Sequence, residues 1–282
     1  MSDRENYLVS VSALAEECHS AKPPIIIDCR YDLAEPQRGE DAFLQGHIPS
    51  AQYWHLSRDL SGDLAAGGAE GGRHPLPTPE SFQHLVADTG IGRQTSVVVY
   101  DDQGGAFAAR VWWLLRFFGH PGVRLLDGGW SAWCSAGLPL ESGSATKLAS
   151  LRDGLGEPDL SHCVDYEWVK GHLSDPSVIL VDGRAEARFL GLSEPIDPVA
   201  GHIPGALNKP ISDAISPDGF WLPEASQRAR WNDVDPQKQV IHYCGSGVSA
   251  CVNSFSRCLA GLPEGRLYVG SWSEWCRRET SA

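Results

Sequence analysis

Long apolar runs are missing from this sequence of 282 residues: nothing approaches the ~18 uninterrupted apolar positions of a membrane span, so none is expected. The opening MSDRENYLVS has neither the basic flank nor the apolar stretch of a signal peptide. Basic residues are scarce too. Lys and Arg number 23 against 36 Asp and Glu, for a formal charge of -13, which argues against a nucleic-acid partner because phosphate binding needs a basic face. A small anion is still admissible, since a few arginines and backbone N–H groups gathered in one place suffice. No two of the eight cysteines stand as CxxC, and no Cys/His tetrad has structural-zinc spacing, so neither a redox pair nor a metal is expected. Without a signal, the cysteines read as reduced thiols of a cytoplasmic protein, most of them buried and chemically quiet.

What is present is enough for a core. Hydrophobic residues make up 42% and charged residues 21%, which rules out a disordered or low-complexity chain, and the length admits one large domain or two.

The sequence also repeats itself. IIIDCR at 25–30 is echoed by VILVDGR at 178–184, GHIPSA at 46–51 by GHIPGA at 201–206, SVVVYD at 96–101 by QVIHYC at 239–244, and DGGWSAW at 127–133 by VGSWSEW at 269–275. The spacing repeats as well: Asp28 to His47 is 19 residues and Asp182 to His202 is 20, while Asp101 to Trp130 is 29 and Cys244 to Trp272 is 28. Four matches in one order at near-equal spacing indicate duplication.

Each half therefore receives the same reading. Short apolar runs bounded by Gly, Asp or Pro, at 25–28, 97–100, 123–126, 178–181, 239–243 and 266–269, predict buried strands of a parallel sheet. Helical patterns lie between them, for example at 79–88, 105–118 and 247–259. Alternation of this kind is α/β, two tandem domains each with a mainly parallel sheet flanked by helices. Residues 141–160, rich in Gly and Ser and without periodicity, predict a linker between a first domain at 1–140 and a second at 161–282.

Cys244 stands apart from the other cysteines. It follows the run QVIHY and precedes Gly245, Ser246, Gly247, Val248 and Ser249, after which a helix pattern begins. That places it at the C-terminal edge of a sheet, where open α/β folds bind ligands. Small residues let the loop curl so that several N–H groups face one atom, and such a nest at a helix start favours a thiolate or an anionic persulfide. A tight turn with a buried cysteine is the plainer alternative. The first half bears on the choice: Tyr100-Asp101 stands where the second has Tyr243-Cys244, and DDQGGAFA lacks the compact CGSG form. Aspartate is no sulfur nucleophile, so only the second half is expected to be catalytic.

These motifs, DxR and GHIP[SG]A in both halves, DGGW in the first, and CGSGVSACVN with GSWSEW in the second, resemble the tandem-domain rhodanese superfamily along nearly the whole chain. Within it the closest likeness is to 3-mercaptopyruvate sulfurtransferases, whose loop is typically CG[ST]GVT; Ser249 takes the place of the usual Thr. The resemblance implies a ping-pong transfer in which Cys244 takes sulfur from a small anionic donor and passes it to cyanide, a small thiol or thioredoxin, with no cofactor. It makes Ser246 and His74 partners in handling the donor's proton, backed by an acid; Ser57 occupies that acid's usual position, with Asp59 and Asp63 close behind. It makes Arg188 the arginine that grips the donor carboxylate, with Gly245, Gly247, Val248 and Ser249 around the substrate. A second arginine is usual nine residues on, where this chain has Asp197, a feature closer to thiosulfate-using rhodaneses. Thiosulfate:cyanide sulfurtransferase is therefore the runner-up activity.

A non-catalytic sulfur carrier is a third reading, opposed by the intact nucleophile loop. A phosphatase of related fold is a fourth, opposed by a loop that is too short and by Ala250 where an arginine would be needed. The active cleft is expected between the halves, because His74 must reach Cys244, and the protein is expected to be a monomer. Arg30 and Arg184, like His47 and His202, recur in both halves and are expected to be structural. Trp272 and Trp275 either wall the pocket or fill the core.

Overall fold

The computed structural model describes residues 3–63, 71–146, 148–151 and 154–280. The strands of the first half are β1 (Leu8–Val9), β2 (Ile25–Asp28), β3 (Gln52–Tyr53), β4 (Val97–Tyr100) and β5 (Val123–Leu126). Those of the second are β6 (Cys163–Val164), β7 (Val178–Asp182), β8 (Leu207–Asn208), β9 (Gln239–Tyr243) and β10 (Arg266–Tyr268). All neighbours pair in parallel, in the order β1-β5-β4-β2-β3 and, identically, β6-β10-β9-β7-β8. The six apolar runs are the three central strands of each sheet. They carry no polar alternation because helices bury both faces: Val97, Val98 and Val99 have no exposed surface. The edge strands β1, β3, β6 and β8 are two residues each, too short to leave a period in the sequence. Helices at Pro79–Asp88, Ala108–Phe117 and Ala250–Leu259 follow the expected patterns, the last two starting three residues late because loops occupy those positions.

The repeated DxR motif is the bolt beneath each sheet edge. Register sets Asp28 beside Tyr100 and Asp182 beside Tyr243. Arg30 grips Asp28 through Nε and Nη2 (2.9 and 2.7 Å) and donates to the Gly46 carbonyl at 2.7 Å. Arg184 repeats this with Asp182 (2.7 Å) and Gly201 (2.6 Å). A buried ion pair offsets its desolvation only with such saturated geometry. Each guanidinium also lies over a tryptophan, Arg30 over Trp130 at 4.2 Å and Arg184 over Trp272 at 4.9 Å. Both arginines are thus structural, as the duplication implies. The GHIP histidines are too: His47 and His202 bond the carbonyls of Phe43 and Phe189 (2.8 and 2.7 Å) and stack on those rings.

By contacts the chain forms two units, one of Met1–Leu60, Pro77–Asp159 and Pro217–Trp221, the other of Ser61–Leu76, Leu160–Ser216 and Leu222–Ala282. This departs from a division at 140 and 161 in three places. Residues 141–160 are mostly tied to the first unit: His47 and Glu141 exchange two backbone bonds, Leu151 donates to the Ala87 carbonyl and Gly156 to that of Phe118. Lys147, Arg152 and Asp153 of the expected linker lie outside the described residues. The other two departures are short straps, 61–76 and 217–221, each folded with the unit of the other half of the sequence. Among the described residues no helix is long and apolar enough to cross a membrane.

Candidate active site

Cys244 leaves the end of β9 and is buried, with 1% of its surface exposed. Its carbonyl accepts the Trp272 N–H at 3.0 Å and the Gly245 carbonyl accepts that of Ser273 at 2.9 Å, while the Cys244 N–H donates to Ser271 Oγ at 3.2 Å. A trans peptide points its C=O and N–H in opposite directions. With the first two carbonyls tied back to 272 and 273, the N–H groups of Gly245 and Ser246 are turned the other way, toward the concave side of the loop. Gly247 continues the curl at φ +74, and a Cβ there would come 2.3 Å from the Val269 carbonyl oxygen, so no other residue fits. Val248 is buried, Ser249 opens the helix at its N-cap, and Ala250 is its first residue. The result is an anion-binding nest at a helix start, with a sulfur atom beside it.

Residues 71–74 lie against this loop, inside the same unit. Gly71 donates its N–H to Glu274 Oε1 (3.1 Å), and the Arg73 N–H goes to Ser273 Oγ (3.0 Å). Gly72, at φ +70, passes so near the Gly270 carbonyl that a Cβ would sit 2.3 Å from it. His74 follows, buried, with Nδ1 2.8 Å from Ser246 Oγ. The structure thus brings His74, Ser246 and Cys244 together. The His74–Ser246 contact is internal to the second unit because the strap folds there. Of the acids expected to back the histidine, Asp59 is taken up by the His55 N–H (2.7 Å) and the Arg58 guanidinium (3.2 Å). Ser57 bonds Tyr31 at 2.6 Å. Asp63 remains, on the same strap as His74.

Arg188 reaches the loop from the short helix Glu186–Phe189. A Cβ placed on Gly245 would be 3.6 Å from both of its terminal nitrogens. Glu194 holds it from behind, at 3.2 Å from Nε and 2.6 Å from Nη2, and Glu194 is itself capped by the N–H groups of Ile196 and Asp197. These bonds keep the Glu194 carboxyl below its usual range, although its burial works the other way. A residue that sequence reasoning missed stands opposite: Arg73, whose Nη2 lies 3.0 Å from the same Cβ position and whose Nη1 is paired with the buried Asp197. Nothing in the GGRHP run marks that arginine, because its partners are more than a hundred residues away.

Trp272 and Trp275 are core residues, packed with Tyr166, Tyr243 and Tyr268, and Trp272 Nε1 donates to the Val199 carbonyl at 2.9 Å. Cys251 is fully buried in the helix, its thiol toward the Gly247 carbonyl at 3.6 Å. Burial, above all, pushes the Cys29 thiol well up, reinforced by Asp101 and Asp28, which leaves it unreactive.

The equivalent loop of the first unit is built differently. The carbonyl of Asp101 accepts the Trp130 N–H at 2.9 Å, as that of Cys244 accepts Trp272. Its carboxylate, however, folds into its own loop: Oδ1 accepts from Gln103 and Gly105 (both 2.9 Å), Oδ2 from Phe107 and Ala108 (2.8 and 2.9 Å). The first nest carries a built-in anion. Asp101→Asn keeps the shape but sets an NH₂ group against two N–H donors. It is expected to lower the first unit's stability by about 2–4 kcal/mol, read as an earlier urea transition, with kcat unchanged. An unshifted transition would mean that the four bonds are not charge-assisted.

Comparison with known proteins places these features in context. The family described as "Rhodanese-like domain" matches residues 10–136 and again 165–278. A Pseudomonas aeruginosa protein named "Probable 3-mercaptopyruvate sulfurtransferase" is 45% identical over 257 residues, covering 89% of this chain and 88% of that one. A Mycobacterium tuberculosis protein named "Putative thiosulfate sulfurtransferase SseB" is 39% identical over 282 residues, 98% of this chain and 95% of the other. Among solved structures, SseA from Escherichia coli, described in connection with the mechanism of 3-mercaptopyruvate sulfotransferases, superposes with a TM-score of 0.81 at 30% identity, over 95% of this chain and 99% of that one.

Proposed function

This chain belongs to the rhodanese-like family, whose domain it carries twice, and on that footing we propose that it moves sulfane sulfur from 3-mercaptopyruvate through a persulfide on Cys244. The observation that carries the reading is the Ser246–His74 hydrogen bond of 2.8 Å beside the nucleophile loop. A proton relay at this point suits a donor that must lose an S–H proton and whose leaving group must gain one.

The Cys244 thiolate attacks the donor sulfur and the carbon–sulfur bond breaks. Pyruvate departs as its enolate and takes up, through Ser246 and His74, the proton that the donor thiol gives up. Asp63 is the acid that orients His74 in this scheme. The outer persulfide sulfur, negatively charged, rests in the nest formed by Gly245, Ser246, Gly247, Val248 and Ser249. A small thiol, cyanide or thioredoxin then attacks that sulfur and restores the Cys244 thiolate. No step calls for a cofactor. A cytoplasmic monomer is the matching setting in this reading.

Two observations favour a second reading, thiosulfate as donor. Asp197 puts a carboxylate beside the arginines, and the M. tuberculosis relative bears the thiosulfate name. Side-by-side kcat/KM values with cyanide as acceptor separate the two. A preference of about 100-fold or more for 3-mercaptopyruvate is expected if the relay is used in the transition state. A preference for thiosulfate would transfer the assignment to the second reading.

A further inference from the structure

The tryptophan motif that closes each repeat, DGGWSAW at 127–133 and VGSWSEW at 269–275, carries one acid in each copy, at different positions. Asp127 stands where the second copy has Val269, and Glu274 where the first has Ala132. Both copies form a helix here, Gly129–Ser135 and Ser271–Thr280, so neither acid is needed for the helix itself. Each faces the strap of its own unit instead. Asp127 Oδ1 accepts the Trp221 N–H at 2.9 Å, and Arg4 ties the pair by donating to Asp127 Oδ2 at 3.0 Å and to the Trp221 carbonyl at 2.8 Å. Glu274, only 4% exposed, accepts the Gly71 N–H at Oε1 (3.1 Å), where Arg278 Nε also lies at 3.2 Å, and the Tyr268 hydroxyl at Oε2 (3.0 Å). These partners offset the burial of its charge. Arg278 belongs to its own helix and Tyr268 to β10, whereas Gly71 comes from the other half of the sequence. Arg73 then donates its N–H to Ser273 Oγ, beside Glu274, and His74 follows with Nδ1 2.8 Å from Ser246 Oγ.

We propose that Glu274 is a positioning residue for the relay: it latches the strap at Gly71 and so sets the reach of His74 to Ser246. The inference rests on the reading above, in which His74 and Ser246 move the donor's proton, and adds the residue that keeps them in register. A proton passes only within hydrogen-bond reach, and a misplacement of about 1 Å can cost about 100-fold in rate. Glu274 acts through the backbone between Gly71 and His74 and takes no proton itself. What the latch requires is the length of the side chain, which puts an oxygen at the Gly71 N–H; a neutral oxygen in the same place would serve. The duplication supports the assignment, because Asp127 does the same for the strap that brings Phe220 and Trp221 to the first nest.

The test compares Glu274→Asp, which keeps the charge and is one carbon shorter, with Glu274→Gln, which keeps the length and loses the charge. Each is made in the unmodified protein and in His74→Asn, with kcat for 3-mercaptopyruvate and hydrogen exchange of the Gly71 and Arg73 amides as readouts. In the unmodified protein, Glu274→Asp is expected to lower kcat about 10- to 100-fold and to speed the exchange of both amides at least about 10-fold. Glu274→Gln should stay within about 3-fold in kcat, the Tyr268 hydroxyl turning to accept from the new amide. In His74→Asn, Glu274→Asp should cost no more than about a further 3-fold, because the group it positions is gone. An equal loss in both backgrounds would mean that Glu274 supports the fold at large and not the relay, and it overturns the proposal. So does an unchanged kcat in Glu274→Asp, or a greater loss in Glu274→Gln than in Glu274→Asp. If the unmodified protein uses thiosulfate and not mercaptopyruvate, the activity reading fails. Amide exchange then judges the latch alone, faster exchange in Glu274→Asp supporting it and no change removing it.

Discussion

Replacing Cys244 with serine is expected to reduce turnover with any sulfur donor by about four orders of magnitude or more, the size of loss seen when a covalent nucleophile is removed. A serine hydroxyl is a far weaker nucleophile toward sulfur than a thiol, and an oxygen cannot hold the transferred sulfur as a persulfide. The backbone of the loop should survive the change, because it is held by the carbonyls of Cys244 and Gly245 and by Gly247, none of which involves the thiol. Melting temperature is therefore expected to move little while activity disappears. Cys251→Ser is the control. That side chain is also buried, on the second residue of the helix that follows the loop, but its thiol is turned to the Gly247 carbonyl. Its loss should cost some stability and leave kcat within about 3-fold, a packing effect and not a chemical one. Intact-mass measurement after donor addition should show one sulfur, about 32 Da, on the unmodified protein and on Cys251→Ser, and none on Cys244→Ser. Equal losses in the two variants, or an adduct that survives Cys244→Ser, would sink the assignment of a single nucleophile.

Much of this architecture can be read in advance, and the reason is local. Val97–Tyr100 and Gln239–Tyr243 are strands buried on both faces, so their identity is written in consecutive residues. The same holds for the loop after Cys244, whose small residues lie within six positions, and for Arg184, whose structural role follows from a twin at Arg30. The straps are different. Residues 61–76 hold Gly and Pro without period, and what gives them meaning is the fit of Gly72 beneath the Gly270 carbonyl and of Arg73 against Asp197. Such contacts carry no sequence signature, which is why His74 is naturally assigned to the first domain although it folds with the second unit. Asp101 illustrates a subtler limit. Its side-chain type shows that it is no sulfur nucleophile, but only the geometry shows that its carboxylate fills the site it replaces.

On the proposed reading, the two loops divide the labour of a duplicated fold. In each unit a strap from the other half of the sequence lies over the same region: 71–74 against 245–246 and 270–274 in the second, 217–221 against 105 and 127–128 in the first. Trp221 donates its N–H to Asp127 at 2.9 Å, and its ring meets Gly105, where a Cβ would be 2.7 Å away. The straps are equivalent in place and opposite in content. One brings Arg73 and His74, with charge and a titratable ring, to a nest beside a thiol. The other brings Phe220 and Trp221, largely apolar, to a nest already filled by its own aspartate.

Removing the relay is expected to separate the two donors. His74→Asn should lower kcat for 3-mercaptopyruvate by about 100- to 1000-fold, the loss typical of one aimed hydrogen-bonding group in a transition state. Ser246→Ala should do the same, and the double variant should be scarcely worse than either, because the 2.8 Å bond makes them one unit. Thiosulfate should respond much less. Its sulfur carries no proton at neutral pH, and sulfite leaves with its charge already spread over oxygen, so nothing needs to be relayed. The contrast matters because Ser246 belongs to the nest: if its hydroxyl or His74 served mainly to hold the loop in shape, both donors would suffer alike. Measured as the ratio of kcat values for the two donors, the relay predicts a shift of about 100-fold toward thiosulfate in each variant, whereas a purely structural pair predicts no shift at all.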